Sequence, residues 1–89
     1  MPTVRFTDNI QRHVSCPTRD VTGTTVREAL EHYFAANTRA RGYTLDDQGH
    51  LRPHMAVFVD GRQLHDRDAL SDVVDVATVI DVVQALSGG

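Results

Sequence analysis

Residues 25–38, "TVREALEHYFAANT", carry the clearest local signal in the chain, and their reading decides the architecture. Thr25 stands three positions before Glu28, the spacing of a capping box, in which the two side chains each take a backbone N–H left unpaired by the first helical turn. Val26, Ala29, Leu30, Tyr33 and Phe34 then recur at intervals of three and four and form one apolar stripe. The pattern predicts an amphipathic helix that opens at Thr25 and ends near Asn37 or Thr38. A helix with one apolar face needs a surface to cover, and a small sheet is the simplest one.

The flanking segments supply it. Upstream, Thr3 to Thr7 alternates Val4 and Phe6 with polar neighbours, a strand pattern. A second extended segment is expected from about His13 to Thr22, carrying Val14, Cys16 and Val21; Pro17 interrupts it, as on an edge strand or an irregular approach. Downstream, "RARGYTLDDQGH" is read as a polar connection broken by Gly42 and Gly49. In "HMAVFVDGRQL", Asp60-Gly61 between two strand-like runs predicts a tight type I′ hairpin, because both central residues must tolerate positive φ. "DRDALSDVVDVA" is a polar loop with a short helical turn expected around Leu70 to Val73. "TVIDVVQ" is strand-like by its β-branched content. Alternation puts Thr78, Ile80 and Val82 on one face and Val79, Asp81 and Val83 on the other. Asp81 marks that second face as solvent-facing, so Val79 and Val83 are expected to be exposed apolar residues, which call for a reason. A central position for this last strand, beside the first, would protect both.

The composition agrees with one small domain. Eighty-nine residues leave no room for a second, and 40% hydrophobic with 24% charged residues is ordinary globular composition. The net charge of −3 argues against nucleic acid as a partner, which would need a basic face. One cysteine excludes an internal disulfide framework. No apolar run approaches the roughly 20 residues of a membrane span, so no membrane partner is expected. The N-terminus lacks the apolar stretch of a secretory signal, so the expected location is cytoplasmic.

Other reactive side chains do not form a constellation. Cys16 reads as a small buried hydrophobe rather than a sulfur nucleophile. His50 and His54 are four apart, but Gly49 and Pro53 make a helical ligand pair improbable, and His13, His32 and His65 are scattered; no metal site is expected. Asp46, Asp47, Asp72 and Asp75 read as solvated loop charges. No phosphate loop, triad or paired-carboxylate site can be read.

The element order, with "TVREALEHYF", "LRPHMAVFVDGRQL" and "VIDVVQALSGG" as its three marked stretches, resembles the ThiS/MoaD family of ubiquitin-like sulfur carriers. The resemblance implies an α+β class and a β-grasp fold: a mixed sheet of four to five strands packed on one main helix. It divides the chain into a β-grasp domain over residues 1–84 and a flexible C-terminal diglycine tail over 85–89. It also implies that the protein is not an enzyme but a protein co-substrate with no catalytic residues of its own and no bound cofactor. A ubiquitin-activating-type adenylyltransferase/sulfurtransferase would use ATP to adenylate the Gly89 carboxylate, and sulfur would displace AMP to leave a thiocarboxylate at Gly89. A sulfur-accepting synthase would then take the sulfur.

Carried over residue by residue, Gly89 bears the adenylate and thiocarboxylate, Gly88 is the second glycine that threads the tail into the partner, and Val83 falls at the family's docking contact; the open face adds Val79 to that docking set, and the tail itself adds Ser87 to the threading and Leu86 as an anchor. Glycine suits that passage because without a Cβ the backbone enters narrow channels. Gln84 departs from the proline the family often carries before its tail, and the connection after the helix is longer than in the shortest members. That length is closer to carriers that donate sulfur for cysteine synthesis. The alternatives are a ubiquitin-like modifier conjugated through Gly89 and a small subunit of a molybdopterin-synthase-type complex. All nine basic residues are arginine, so the chain cannot build lysine-linked chains on itself, and no lysine amine is present to intercept an acyl adenylate.

Overall fold

The computed structural model describes residues 1–84. Its elements in chain order are β1 (Thr3–Phe6), α1 (Asp8–Gln11), β2 (Arg19–Asp20), α2 (Val26–Ala35), α3 (Thr38–Thr44), β3 (Met55–Val59), β4 (Arg62–Gln63) and β5 (Val79–Gln84). The five strands form one mixed sheet in the order β2-β1-β5-β3-β4. The first and last strands lie side by side in parallel, from Thr3 opposite Val79 to Phe6 opposite Val82. The last strand also pairs antiparallel with β3, from Met55 opposite Gln84 to Val59 opposite Ile80. It is therefore central, as its late, apolar sequence predicts. The architecture is α+β, a β-grasp sheet with its main helix on one face.

The predicted helix forms with a fully satisfied N-terminus. Val26 N–H donates to the Asp72 carbonyl, Arg27 N–H to that of Leu70 and Ala29 N–H to that of Thr25. Glu28 N–H donates to Thr25 Oγ1 at 3.2 Å. One half of the capping box differs from the expected pairing: the Glu28 carboxylate reaches one residue further back and accepts from Thr24 N–H (2.8 Å) and Thr24 Oγ1 (2.9 Å). Thr25 is itself held in an extended bridge with Val73. The Thr24 bonds, backbone first, hold the Glu28 carboxyl below its ordinary range. Gly23 makes this loop possible. Its φ is +152°, and a Cβ there would stand 2.6 Å from Ala29 N.

The apolar stripe is buried as predicted, with Val26, Ala29, Leu30, Tyr33 and Phe34 closed from solvent against Val4, Phe6, Val57, Ile80 and Val82 of the sheet. Phe6 meets Tyr33 with ring centroids 5.0 Å apart and Phe34 at 6.4 Å. Burial of each such side chain is worth about 1.5–3 kcal/mol, so this layer is the main source of stability.

Four expectations change. The extended segment His13–Thr22 pairs only at Arg19–Asp20, an edge strand. Before it, Pro17 has no N–H for a ladder, and side chains meet the carbonyls instead: Tyr33 Oη donates to Pro17 O (2.7 Å) and Asn37 Nδ2 to Ser15 O (2.7 Å). The main helix stops at Ala35, and Asn37 caps a second helix, accepting from Ala40 N–H at 3.2 Å. That helix, α3, occupies the expected polar connection, with Gly42 inside it rather than breaking it; buried Ala40 and Thr44 anchor it, offsetting a glycine cost of about 1 kcal/mol. A further short helix, α1, carries buried Ile10 directly after β1. The helical turn expected at Leu70 to Val73 lies earlier, where Leu70 N–H donates to Asp66 O and Leu70 ends the turn at φ 56°, fully buried. Asp66 closes this turn, accepting from Ser71 Oγ and from Ala69 and Asp68 N–H; these bonds, that of Ser71 first, keep its carboxyl below the ordinary range.

The Asp60-Gly61 hairpin is as predicted. The two residues have φ of 51° and 83° between Val59 and Arg62, the mirror-image turn that a right-twisted hairpin needs.

Candidate functional site

Alternation along β5 builds two different surfaces from one strand. Ile80 and Val82 point into the core, with Thr78 just before them, while Val79, Asp81 and Val83 lie on the open face, as the sequence predicts. On that face the register places Arg5, Asp81, Phe58 and Gln63 in one row across four strands. Arg5 grips Asp81 with two hydrogen bonds, Nε to Oδ1 at 2.7 Å and Nη2 to Oδ2 at 3.0 Å. Val79 flanks this pair beside Thr3, and Val83 flanks it beside Ala56.

The open face corrects one expectation. Val79 and Val83 are half-buried, not exposed, because β1 and β3 shoulder them on both sides. The strongly exposed valines are Val73 at 81% and Val76 at 77%, in the loop before β5. No periodicity marks them, since they sit outside any regular element.

Gln84 ends the core-facing row and is the polar residue of that row beyond Val82. Its side chain lies between two helices that sequence reasoning missed. Asn9 Nδ2 of α1 donates to Gln84 Oε1 at 3.3 Å, and Tyr43 Oη of α3 donates to the same oxygen at 3.2 Å. The Tyr43 ring stacks on His13, with centroids 5.8 Å apart and planes at 16°. The signal was available: extending the alternation by one step puts Gln84 under the helical layer, where an amide needs partners. Leu86, Ser87, Gly88 and Gly89, with Ala85, lie outside the described residues.

The remaining candidates do not converge. Cys16 is 1% exposed, its Sγ donates to the Val14 carbonyl at 3.3 Å, and burial pushes its thiol pKa up, opposite to what a reactive thiolate requires. Among the described residues no three histidine, cysteine or carboxylate side chains gather as a metal site. A cavity of about 310 Å³ beside β4 does bring Ser71, His65 and Asp72 together. They are not a triad. Ser71 Oγ donates to Asp66 instead, His65 Nδ1 stands 3.7 Å from Asp72, and the Asp72 carboxylate is occupied by the His65 and Asp66 N–H groups. No helix is long and apolar enough to cross a membrane among the described residues.

No family model and no curated protein matches the sequence. Solved structures do match the fold over almost the whole chain. SAMP1 from Haloferax volcanii is similar at 22% identity and a TM-score of 0.77, covering 99% of this chain and 98% of that one. The small archaeal modifier protein 1 from Methanosarcina acetivorans gives 14% identity and 0.81, with 99% and 95% covered. The Amycolatopsis orientalis BexX/CysO complex gives 21% and 0.76, with both chains covered at 100%. Identities this low speak for the backbone alone, and with the sheet order and single long helix they place this chain among the ubiquitin-like β-grasp folds.

Proposed function

We propose that this protein is a sulfur carrier whose reactive group is the Gly89 carboxylate. The observation that supports the reading best is the fold likeness over the full chain to CysO, a protein crystallised with a partner, BexX. It joins the sequence resemblance and the terminal Gly88-Gly89 pair. On this reading a carboxylate oxygen of Gly89 attacks the α-phosphate of ATP on an activating enzyme, and pyrophosphate leaves. Hydrosulfide then attacks the acyl carbon, AMP leaves, and Gly89 carries a thiocarboxylate. The carrier supplies position rather than catalysis. Val79 and Val83 dock the open sheet face on the partner, around the Arg5–Asp81 pair; Leu86 anchors the tail, and Ser87 and Gly88 thread it. ATP belongs to the activating enzyme, and a synthase accepts the sulfur.

The test is intact mass. With ATP, sulfide and an activating enzyme from the same organism, the chain should gain the mass of one oxygen exchanged for sulfur, and deletion of Gly89 should abolish the gain. A wild-type mass that never changes overturns the reading. The likeness to proteins named as archaeal modifiers supports a second reading, conjugation to other proteins through Gly89. A ladder of thiol-resistant conjugates in place of the mass gain would favour it.

A further inference from the structure

We propose that Asn9, Tyr43 and Gln84 form a clamp that sets the direction in which the chain leaves the sheet, and so how Gly89 is presented to an activating enzyme. This rests on the carrier reading. Gln84 is the last described residue of β5, and four residues, 85–88, lie between it and Gly89. Five Cα–Cα steps reach at most about 17 Å, so the place and direction in which residue 84 is held bound the positions open to the carboxylate. The chain has no proline there to stiffen it.

The structure puts a side-chain device in that place. Gln84 Oε1 accepts from Asn9 Nδ2 on one side and from Tyr43 Oη on the other. A carboxamide oxygen has two acceptor positions, so both are engaged. Each donor is carried by a helix anchored in the core, α1 through Ile10 and α3 through Ala40 and Thr44. The Tyr43 ring is further fixed against His13 and packs at the core margin. The β5 backbone is already paired on both sides, to Phe6 through Val82 and to Met55 through Gln84 itself. The clamp adds a restraint where β1 has ended and only β3 still pairs. Asn9, Tyr43 and Gln84 are positioning residues: they act on the reacting carboxylate through the chain.

The test compares full-length variants in ATP–pyrophosphate exchange on the activating enzyme. Gln84→Met keeps the side-chain length and removes the acceptor; Gln84→Glu keeps an oxygen where both donors point. Gln84→Met should lower kcat about five- to ten-fold with KM for the carrier unchanged, Tyr43→Phe about three-fold, and Gln84→Glu should recover the rate. In the free protein, the Asn9 side-chain amide resonance should move in Gln84→Met and hold in Gln84→Glu. Equal kcat for wild type and Gln84→Met, an equal fall for Met and Glu, or a loss confined to KM overturns the clamp. Exchange that survives deletion of Gly89 overturns the carrier reading and the presentation role with it. Exchange that needs Gly89 but ignores Gln84→Met overturns the clamp alone.

Discussion

The two ends of β5 are held by opposite means. At the first end one set of partners is three positions apart and another 19. Thr78 Oγ1 donates to Asp75 Oδ1 at 3.1 Å and accepts from Asp75 N–H at 2.9 Å, and the Asp60 carboxylate of the hairpin turn accepts from Val79 N–H at 2.8 Å. At the far end Gln84 is held by Tyr43 and Asn9, 41 and 75 positions away. The first end combines a local turn at Asp75–Thr78 with one bond from the neighbouring hairpin. The second exists only once two helices have packed. A strand built this way is held by nearby turns at one end and by tertiary side-chain bonds at the other.

That contrast can be broken from the middle outward. Ile80→Ala removes a fully buried side chain shared by both ends and should cost about 2–5 kcal/mol in denaturant unfolding. A loss below about 1 kcal/mol would mean that the ends, not the core, carry the strand. Thr78→Val keeps the shape and leaves Asp75 N–H without its acceptor, for about 1–3 kcal/mol. Gln84→Met, by contrast, should lower stability by less than about 1 kcal/mol, since its site is half-buried and open to water. If Gln84→Met costs more than Thr78→Val, the far end is the more firmly held of the two.

The smallest effect is the sharpest discriminator. Hydrogen bonds from Ala77 N–H first, and then from Thr78, hold the Asp75 carboxyl below the ordinary value of about 4. The folded state thus binds that proton less readily than the unfolded chain. Asp75 contributes stability above the ordinary carboxylate value and loses it as pH falls through the folded value. The far end, a phenol and two carboxamides, has nothing that ionises in acid. In an NMR titration downward from pH 5, the Ala77 and Thr78 amides should move while the Asn9 side-chain amide stays, and Asp75→Asn should abolish the movement. Parallel movement at both ends would show that they are coupled.

The legible parts of the chain share a physical trait. The helix from Thr25, the Asp60-Gly61 turn and the alternation of β5 each arise from groups within a few residues of one another, so their spacing is visible. The helices carrying Asn9 and Tyr43 have no such mark. One spans only Asp8–Gln11, and the other contains Gly42 and reads as polar connection; buried Ile10, Ala40 and Thr44 stabilise them through contacts distant in sequence. Pro17 signalled an irregular edge, but not that Tyr33 and Asn37 would meet the carbonyls around it. Of the open face, the membership of Val79, Asp81 and Val83 was readable. Their half-burial was not, because it depends on which strands lie beside them.

The sequence by itself therefore determined the one main helix, the hairpin and the two faces of the last strand, because capping, turn angles and a two-residue period are local properties. It also marked Gln84 as the place where this chain departs from the family it resembles. Only the tertiary structure decided what that side chain meets. Gln84 Oε1 has its donors on helices that the sequence brings together only when the core closes around Ile10, Ala40 and Ile80.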